Sequence, residues 1–312
     1  MKIVFFGTAN VALPILEKLN KEHQVLAVVT NPDAPAGRSQ SAPSETPVSA
    51  LARDLKLTTL KPEKIRGNQD FTAGLDGLNA DIFVVVAYGK ILPAEVISMP
   101  PLKTVNVHFS ALPKYRGPSP IQFALLNGER QTGTSIFILD EHMDTGPLLA
   151  QKIVDIEPDD NYFTLSDRLA RISADLLTDT LSDYQAGRVT PLPQDESRVS
   201  YSRIITKQDG KVDWQKTAPE IYNQFRAFYP WPGIWTTFQG KKLKILDCVA
   251  NPESPKLSGT AGACGTVIDG GTVVCGSGTT LKIRSLQPEG KKEMAIGDFL
   301  NGYKNFIGSK LE

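Results

Sequence analysis

The stretch D-I-F-V-V-V-A, residues 81–87, places six apolar residues in a row after its aspartate. A strand with one wet face alternates polar and apolar residues. An unbroken run this short predicts instead a strand covered on both faces, as at the centre of a parallel sheet. Working outward, residues 2–6 form a similar run ending at Gly7-Thr8, residues 11–19 carry helical spacing, and residues 24–30 read as a second strand. Strand, turn, helix and strand in that order open an α/β sheet. The turn lacks G-x-G-x-x-G, so a dinucleotide cofactor gains no support. Thr46-Pro47 reads as an N-cap followed by a first-turn proline.

Downstream, residues 104–108 form the next strand. Ser119-Pro120 opens a helix ending at Asn127-Gly128, and residues 134–139 form a further strand. That order predicts a right-handed crossover to a parallel neighbour. Both strands would then end at one edge, where open α/β sheets bind ligands. Residues 148–156 are expected to return antiparallel, and Leu165, Leu169, Ile172, Leu176 and Leu177 mark a helix closed by Gly187. Residues 188–206, rich in proline and polar groups, read as a linker. Short glycine-punctuated runs beyond it predict a small β-barrel. The expected organisation is a Rossmann-like, mostly parallel α/β catalytic domain (1–187), a linker (188–206) and an OB-like β-barrel (207–312).

A chain of 312 residues accommodates about two domains, and its 41% apolar and 22% charged content fits a globular protein. No apolar run approaches the roughly 20 residues of a membrane helix. Gly7 to Asn10 and Pro14 interrupt the faintly signal-like start, so a cytoplasmic location is expected. Cys248, Cys264 and Cys275 are odd in number without C-x-x-C spacing, and histidines stand only at 23, 108 and 142. Neither a disulfide framework nor a metal cage is expected. Net charge is zero, yet residues 1–202 hold 19 basic against 24 acidic side chains and residues 203–312 hold 15 against 10. Chance gives such a split as readily as a polyanion partner for the C-terminal part does.

Asn106 and His108 lie two apart on one strand and leave by the same face. Asp144 follows the next strand. An amide donor, a titratable imidazole and a carboxylate suit acyl transfer, in which a carbonyl oxygen gains negative charge while a proton moves. Each residue alone also fits a structural role as cap, core-edge histidine or loop aspartate. Ser110 has no nucleophile elbow around it and no cysteine is near a histidine in sequence, so direct transfer to an incoming nucleophile fits better than a covalent enzyme intermediate.

The segment N-V-H-F-S-A-L-P-K-Y-R-G-P-S-P-I-Q (106–122) resembles the signature of the folate-dependent formyltransferases, and D-E-H-M-D-T-G-P (140–147) resembles its companion. F-G-T (6–8), N-P-D-A-P-A-G-R (31–38), V-V-V-A-Y-G-K-I-L-P (84–93), R-A-F-Y-P-W-P-G-I-W (226–235) and S-L-Q-P-E-G-K-K-E-M (285–294) extend the resemblance over nearly the whole chain. It implies that 10-formyltetrahydrofolate donates a formyl group to the α-amine of methionine esterified to initiator tRNA. Asn106, His108 and Asp144 match the family's catalytic trio, with Asp144 orienting the imidazole. Ser110, Ala111, Leu112 and Pro113 match a folate-binding turn in which Ala111 replaces the usual leucine. The pterin is expected between the backbone of Tyr88, Gly89, Ile91 and Leu92 and the loop starting at Leu139 and Asp140. For tRNA the resemblance implies the loop 31–45 with Arg38, though this loop is poor in lysine. Lys207, Lys241, Lys242, Lys244, Lys291 and Lys292 are the expected phosphate contacts. Trp231 and Trp235 are expected as packing between domains. No obligate protein partner and no metal are implied. A formyltransferase acting on an amino sugar or nucleotide, a formylfolate hydrolase and a non-catalytic tRNA binder are the alternatives.

Overall fold

The computed structural model describes residues 1–33, 44–251 and 263–312. Arg38 and most of the loop 31–45 lie outside the described residues. The chain forms two compact units. The first comprises residues 1–120, 131–155 and 165–203, and the second residues 121–130, 156–164 and 204–312.

Among the described residues the first unit holds a seven-stranded sheet: β1 Lys2–Gly7, β2 Gln24–Val29, β3 Thr59–Leu60, β4 Ile82–Val86, β5 Thr104–His108, β6 Gln131–Ile138 and β7 Leu148–Asp155. Their order is β3-β2-β1-β4-β5-β6-β7. Strands β1 to β5 pair in parallel. Every residue of β4 is buried, as its unbroken apolar run requires. Val4, Phe6, Ala27, Val29, Phe83, Val85 and the Tyr88 ring share one apolar cluster on a single face of the sheet. Each large apolar side chain so removed from water contributes about 1.5–3 kcal/mol. Thr46 caps the helix Pro47–Asp54 by accepting from Ser49 N at 3.1 Å.

The expected parallel crossover after β5 is not formed. β6 pairs antiparallel to β5, with His108 opposite Ser135 and Val105 opposite Ile138. A crossover needs its helix laid along the sheet. The connecting helix, Pro120–Leu126, has only seven residues, about 10 Å of rise, too little to carry the chain back along β5, and the chain re-enters beside the end of β5 it left from. β7 is antiparallel to β6, as expected. In the long helix Tyr162–Gln185, Leu165, Leu169 and Leu177 are buried, while Ile172 and Leu176 are only half-buried. Ser173 is buried too, and its hydroxyl shares a 2.7 Å hydrogen bond with that of Thr134 on β6.

The segment expected as a linker is anchored over most of its length. Leu192 exchanges backbone hydrogen bonds with Leu148 at 2.8 and 2.9 Å, and residues up to Arg203 group with the first unit. Polar residues that satisfy backbone groups resemble, in sequence, polar residues that face water.

The second unit contains β8 Ile234–Phe238, β9 Lys241–Asn251, β10 Val267–Asp269, β11 Thr272–Val274, β12 Thr280–Pro288 and β13 Met294–Ala295. The order is β10-β11-β12-β9-β8, all antiparallel, with β13 on β12. Residues 308–312 join the two ends of this path. Gly308 N donates to Val267 O at 2.8 Å and Val267 N to Ser309 O at 2.9 Å; Thr237 N donates to Glu312 O at 2.7 Å and accepts at its carbonyl from Glu312 N at 3.1 Å. The sheet thereby closes on itself. Phe306 fills the interior edge-on to Phe238 and Phe299, at 5.0 and 4.9 Å. Trp231 is not core packing: it is 53% exposed. Trp235 is half-buried, with Lys242 Nζ 4.1 Å from its ring centroid. Among the described residues no helix is long and apolar enough to cross a membrane.

Candidate active site

Strand alternation on β5 buries Val105 and Val107 and presents Asn106 and His108 on the opposite face. Asn106 is half-buried, and among the described residues no protein group hydrogen-bonds its side chain. His108 is buried, with Nε2 2.9 Å from the Tyr115 carbonyl oxygen. A carbonyl only accepts, so Nε2 carries the proton and Nδ1 is the open nitrogen. Nδ1 faces Asp144 Oδ2 at 3.7 Å, beyond hydrogen-bond reach. The ring is therefore oriented by Tyr115, where the sequence pattern assigned that task to Asp144. Asp144 Oδ2 itself accepts from Gly117 N at 2.7 Å.

Because β6 runs opposite to β5, it ends beside Val105, far from His108. The loop 139–147 doubles back along β5 to bring Asp144 to the imidazole. His108 and Asp144 are brought together by this return rather than by strands ending at a common edge, and Asn106 shares His108's strand face. Asp140 ties the loop, accepting from Thr145 Oγ1 at 2.7 and 2.9 Å and from His142 N at 3.0 Å. Tyr115 and Asp144, the two residues that address the imidazole, have φ of 58° and 55°. Left-handed backbone at non-glycine residues persists only where surrounding contacts over-determine it.

The remaining expected residues divide. Ser110, Leu112 and Pro113 are buried and face protein: Ser110 Oγ donates to Lys114 O at 2.5 Å, and Ser135 Oγ bridges Ser110 O (2.7 Å) and Leu112 N (3.1 Å). Of that turn only the half-buried Ala111 and the backbone are left to meet a ligand. The Tyr88 ring lies in the core, 5.6 Å from Phe6, and burial pushes its phenol up to about 12. Its carbonyl accepts from Thr8 Oγ1 and Asn31 Nδ2, both at 3.0 Å, so the backbone after β4 is fixed. Gly89 supplies a left-handed turn (φ 82°) and Ile91 stands 87% exposed beyond it, whereas Leu92 is buried. Leu139 packs against the sheet's core cluster.

Three contributors were not singled out from sequence: Arg116, Gly117 and Gln194. Arg116 is only 1% exposed. Its Nε and Nη2 donate to Gln194 Oε1 at 3.1 and 2.8 Å, and Nη1 and Nη2 to Glu196 at 3.2 and 2.6 Å. The hydrogen bond from Arg116 holds the Glu196 carboxyl below its usual range. That stabilisation is present at neutral pH and fades as pH falls through the lowered value. Gln194 Nε2 donates to Asp144 O and Gly146 O, each at 2.8 Å. The K-Y-R-G spelling contained the first two; nothing in the polar segment 188–206 distinguished Gln194.

On the second unit, Lys242, Lys244 and Lys291 line one hollow with Gln287, Glu289 and Gly290. Burial, with Lys244 and Lys207 nearby, lowers the Lys242 ammonium from its ordinary value. Lys207, Lys241 and Lys292 are exposed. Among the described residues no group of His, Cys, Asp and Glu is arranged to hold a metal ion.

Residues 1–181 match the family described as formyl transferase, and residues 204–304 match the formyl transferase C-terminal domain. The chain belongs to the formyl transferase family. This formyl transferase is 39% identical over 313 residues to the methionyl-tRNA formyltransferase of Caldicellulosiruptor saccharolyticus, covering 97% of both chains. It is 40% identical over 316 residues to that of Dictyoglomus thermophilum, covering 100% of each. A solved N-formyltransferase from Helicobacter canadensis, in complex with folinic acid and dTDP-3-aminofucose, superposes with a TM-score of 0.65 at 20% identity, over 92% of this chain and 99% of that one. That likeness is one of fold.

Proposed function

We propose that this formyl transferase moves the formyl group of 10-formyltetrahydrofolate to the α-amine of methionyl-tRNA, giving the formylated initiator for translation in the cytoplasm. The observation that carries formyl transfer is the imidazole pinned by Tyr115 with its open nitrogen turned to Asp144, on the strand face that also presents the unengaged Asn106 amide. The acceptor follows from relatives of that name aligned over nearly the full length. The neutral amine attacks the formyl carbon and a carbon–nitrogen bond forms. Asn106 Nδ2 and protonated His108 Nδ1 donate to the developing oxyanion, each such donor contributing about 3–4 kcal/mol. Asp144 is placed to balance the imidazolium's charge and to accept, through water, the proton the amine sheds. The bond to the folate nitrogen then breaks, and that nitrogen gains a proton through His108. The exposed Ile91 at the end of β4 and the Ala111 turn are the surfaces assigned to the donor. The β-barrel, with Lys207, Lys241, Lys242, Lys244 and Lys291, is assigned to the tRNA backbone.

One assay tests the whole reading: formylfolate offered with methionyl-tRNA, an amino sugar nucleotide, or water alone. Transfer to methionyl-tRNA, with free methionine untouched, is the expected result. Transfer only to the sugar, or hydrolysis without an acceptor, replaces the assignment.

A further inference from the structure

The loop that delivers Asp144 leaves the sheet at the wrong end and must be held in its return. Its tip is gripped from outside by one side chain. Gln194 Nε2 gives its two hydrogens to the carbonyls of Asp144 and Gly146, at 2.8 Å each, spanning Thr145. A glutamine amide can face either way unless something tells its oxygen from its nitrogen. Arg116 does so: a guanidinium has five donors and no acceptor, so it can donate only to the Oε1 end. The NH2 end is thereby forced toward the loop. Glu196 engages the rest of the guanidinium. Arg116 and Gln194 are both buried, so water does not compete for the hydrogen bonds between them, whereas the Glu196 carboxylate is exposed.

We infer that Gln194 is a positioning residue that acts through Asp144, with Arg116 setting the sense of its amide. Neither Gln194 nor Arg116 hydrogen-bonds the His108 or Asp144 side chain; what Gln194 holds is the backbone on which the carboxylate is mounted. The inference rests on the proposed function only where turnover is read.

The decisive variant is Gln194→Glu. It keeps size and shape and still accepts from Arg116, but sets an acceptor oxygen against two carbonyls. Two measurements are made on the full chain: hydrogen exchange of the Gly117 amide, which donates to Asp144 Oδ2, and kcat and KM for methionyl-tRNA. Exchange at Gly117 is expected to rise at least roughly tenfold. A displaced catalytic group loses rate rather than affinity, so kcat should fall roughly 10–100-fold with KM within about twofold. Lowering the pH should return part of the lost kcat, because the introduced carboxyl, once protonated, can donate again. Gln194→Met, which cannot donate at any pH, should lose kcat similarly without that recovery. It also serves if the glutamate variant fails to fold. In an Asp144→Asn background either substitution should cost under about twofold more.

Unchanged Gly117 exchange, kcat within about twofold of the parent, or losses that multiply in full with Asp144→Asn would each overturn the inference. If the parent protein transfers no formyl group to methionyl-tRNA yet Gly117 exchange accelerates in the variant, the proposed function fails and the positioning of the loop stands.

Discussion

Replacing His108 by alanine is expected to lower formyl transfer by roughly 10²–10⁴-fold, the range for loss of a positioned acid–base group. The geometry supports the upper part of that range. Among the described residues the ring hydrogen-bonds only Tyr115 O, at 2.9 Å through Nε2, which leaves Nδ1 open toward Asp144. Asn106→Ala should cost roughly 10²–10³-fold, as expected for one lost oxyanion donor. Asp144→Asn keeps a group able to accept from Gly117 N but removes the charge beside the imidazole, and should fall between these. Single-turnover kinetics, with circular dichroism melts beside them, check the set. Losing the hydrogen bond from His108 to the Tyr115 carbonyl should cost the alanine variant about 0.5–1.5 kcal/mol without unfolding it. Near-normal turnover in any folded member of the set would remove that residue from the mechanism.

Gly146→Ala is expected to damage the same site from the backbone side. A Cβ at position 146 would lie 1.7 Å from the Ile138 carbonyl oxygen and 3.2 Å from the Phe137 ring. That oxygen belongs to β6 and cannot swing away as a side chain can. The loop must lift instead, loosening the Gln194 grip on Gly146 O and moving Asp144 two residues earlier. A loss of roughly 1–3 kcal/mol in stability follows from such overpacking. Turnover should drop by roughly 10²-fold if Asp144 shifts by about 1 Å. Gly74→Ala is the control: it lies in the helix Gln69–Asp76, meets nothing within 4 Å, and should be neutral or stabilising by up to about 1 kcal/mol. Equal stability and activity in the two variants would show that the close approach at Gly146 does not constrain the loop.

The central strands were legible because burial on both faces leaves only apolar residues, and no other local arrangement writes β1 and β4 so plainly. The direction of β6 was not legible. A strand–helix–strand order says nothing of how far the helix travels, and Pro120–Leu126 has only seven residues. Asn106 and His108 could be paired from their spacing alone. Asp144 could be added only by family resemblance and by a topology that proved wrong in its direction, since the loop reaches His108 by returning along β5. Tyr115 as the orienting group had no signal, because a backbone carbonyl carries no residue identity. Arg116 and Gln194 had little more: a buried arginine and a buried glutamine are spelled like solvated ones. The turn 110–113 was correctly placed after β5, but three of its side chains serve the protein's interior.

The seam formed by residues 308–312 has a consequence for how the second unit fails. One short ribbon covers both Thr237 on β8 and Val267 on β10. Trimming it would bare two strands together, each with unpaired amides and carbonyls ready to recruit a neighbouring molecule. A shortened chain should therefore self-associate in solution before its first unit is disturbed, and light scattering would register the clumping ahead of any fall in turnover.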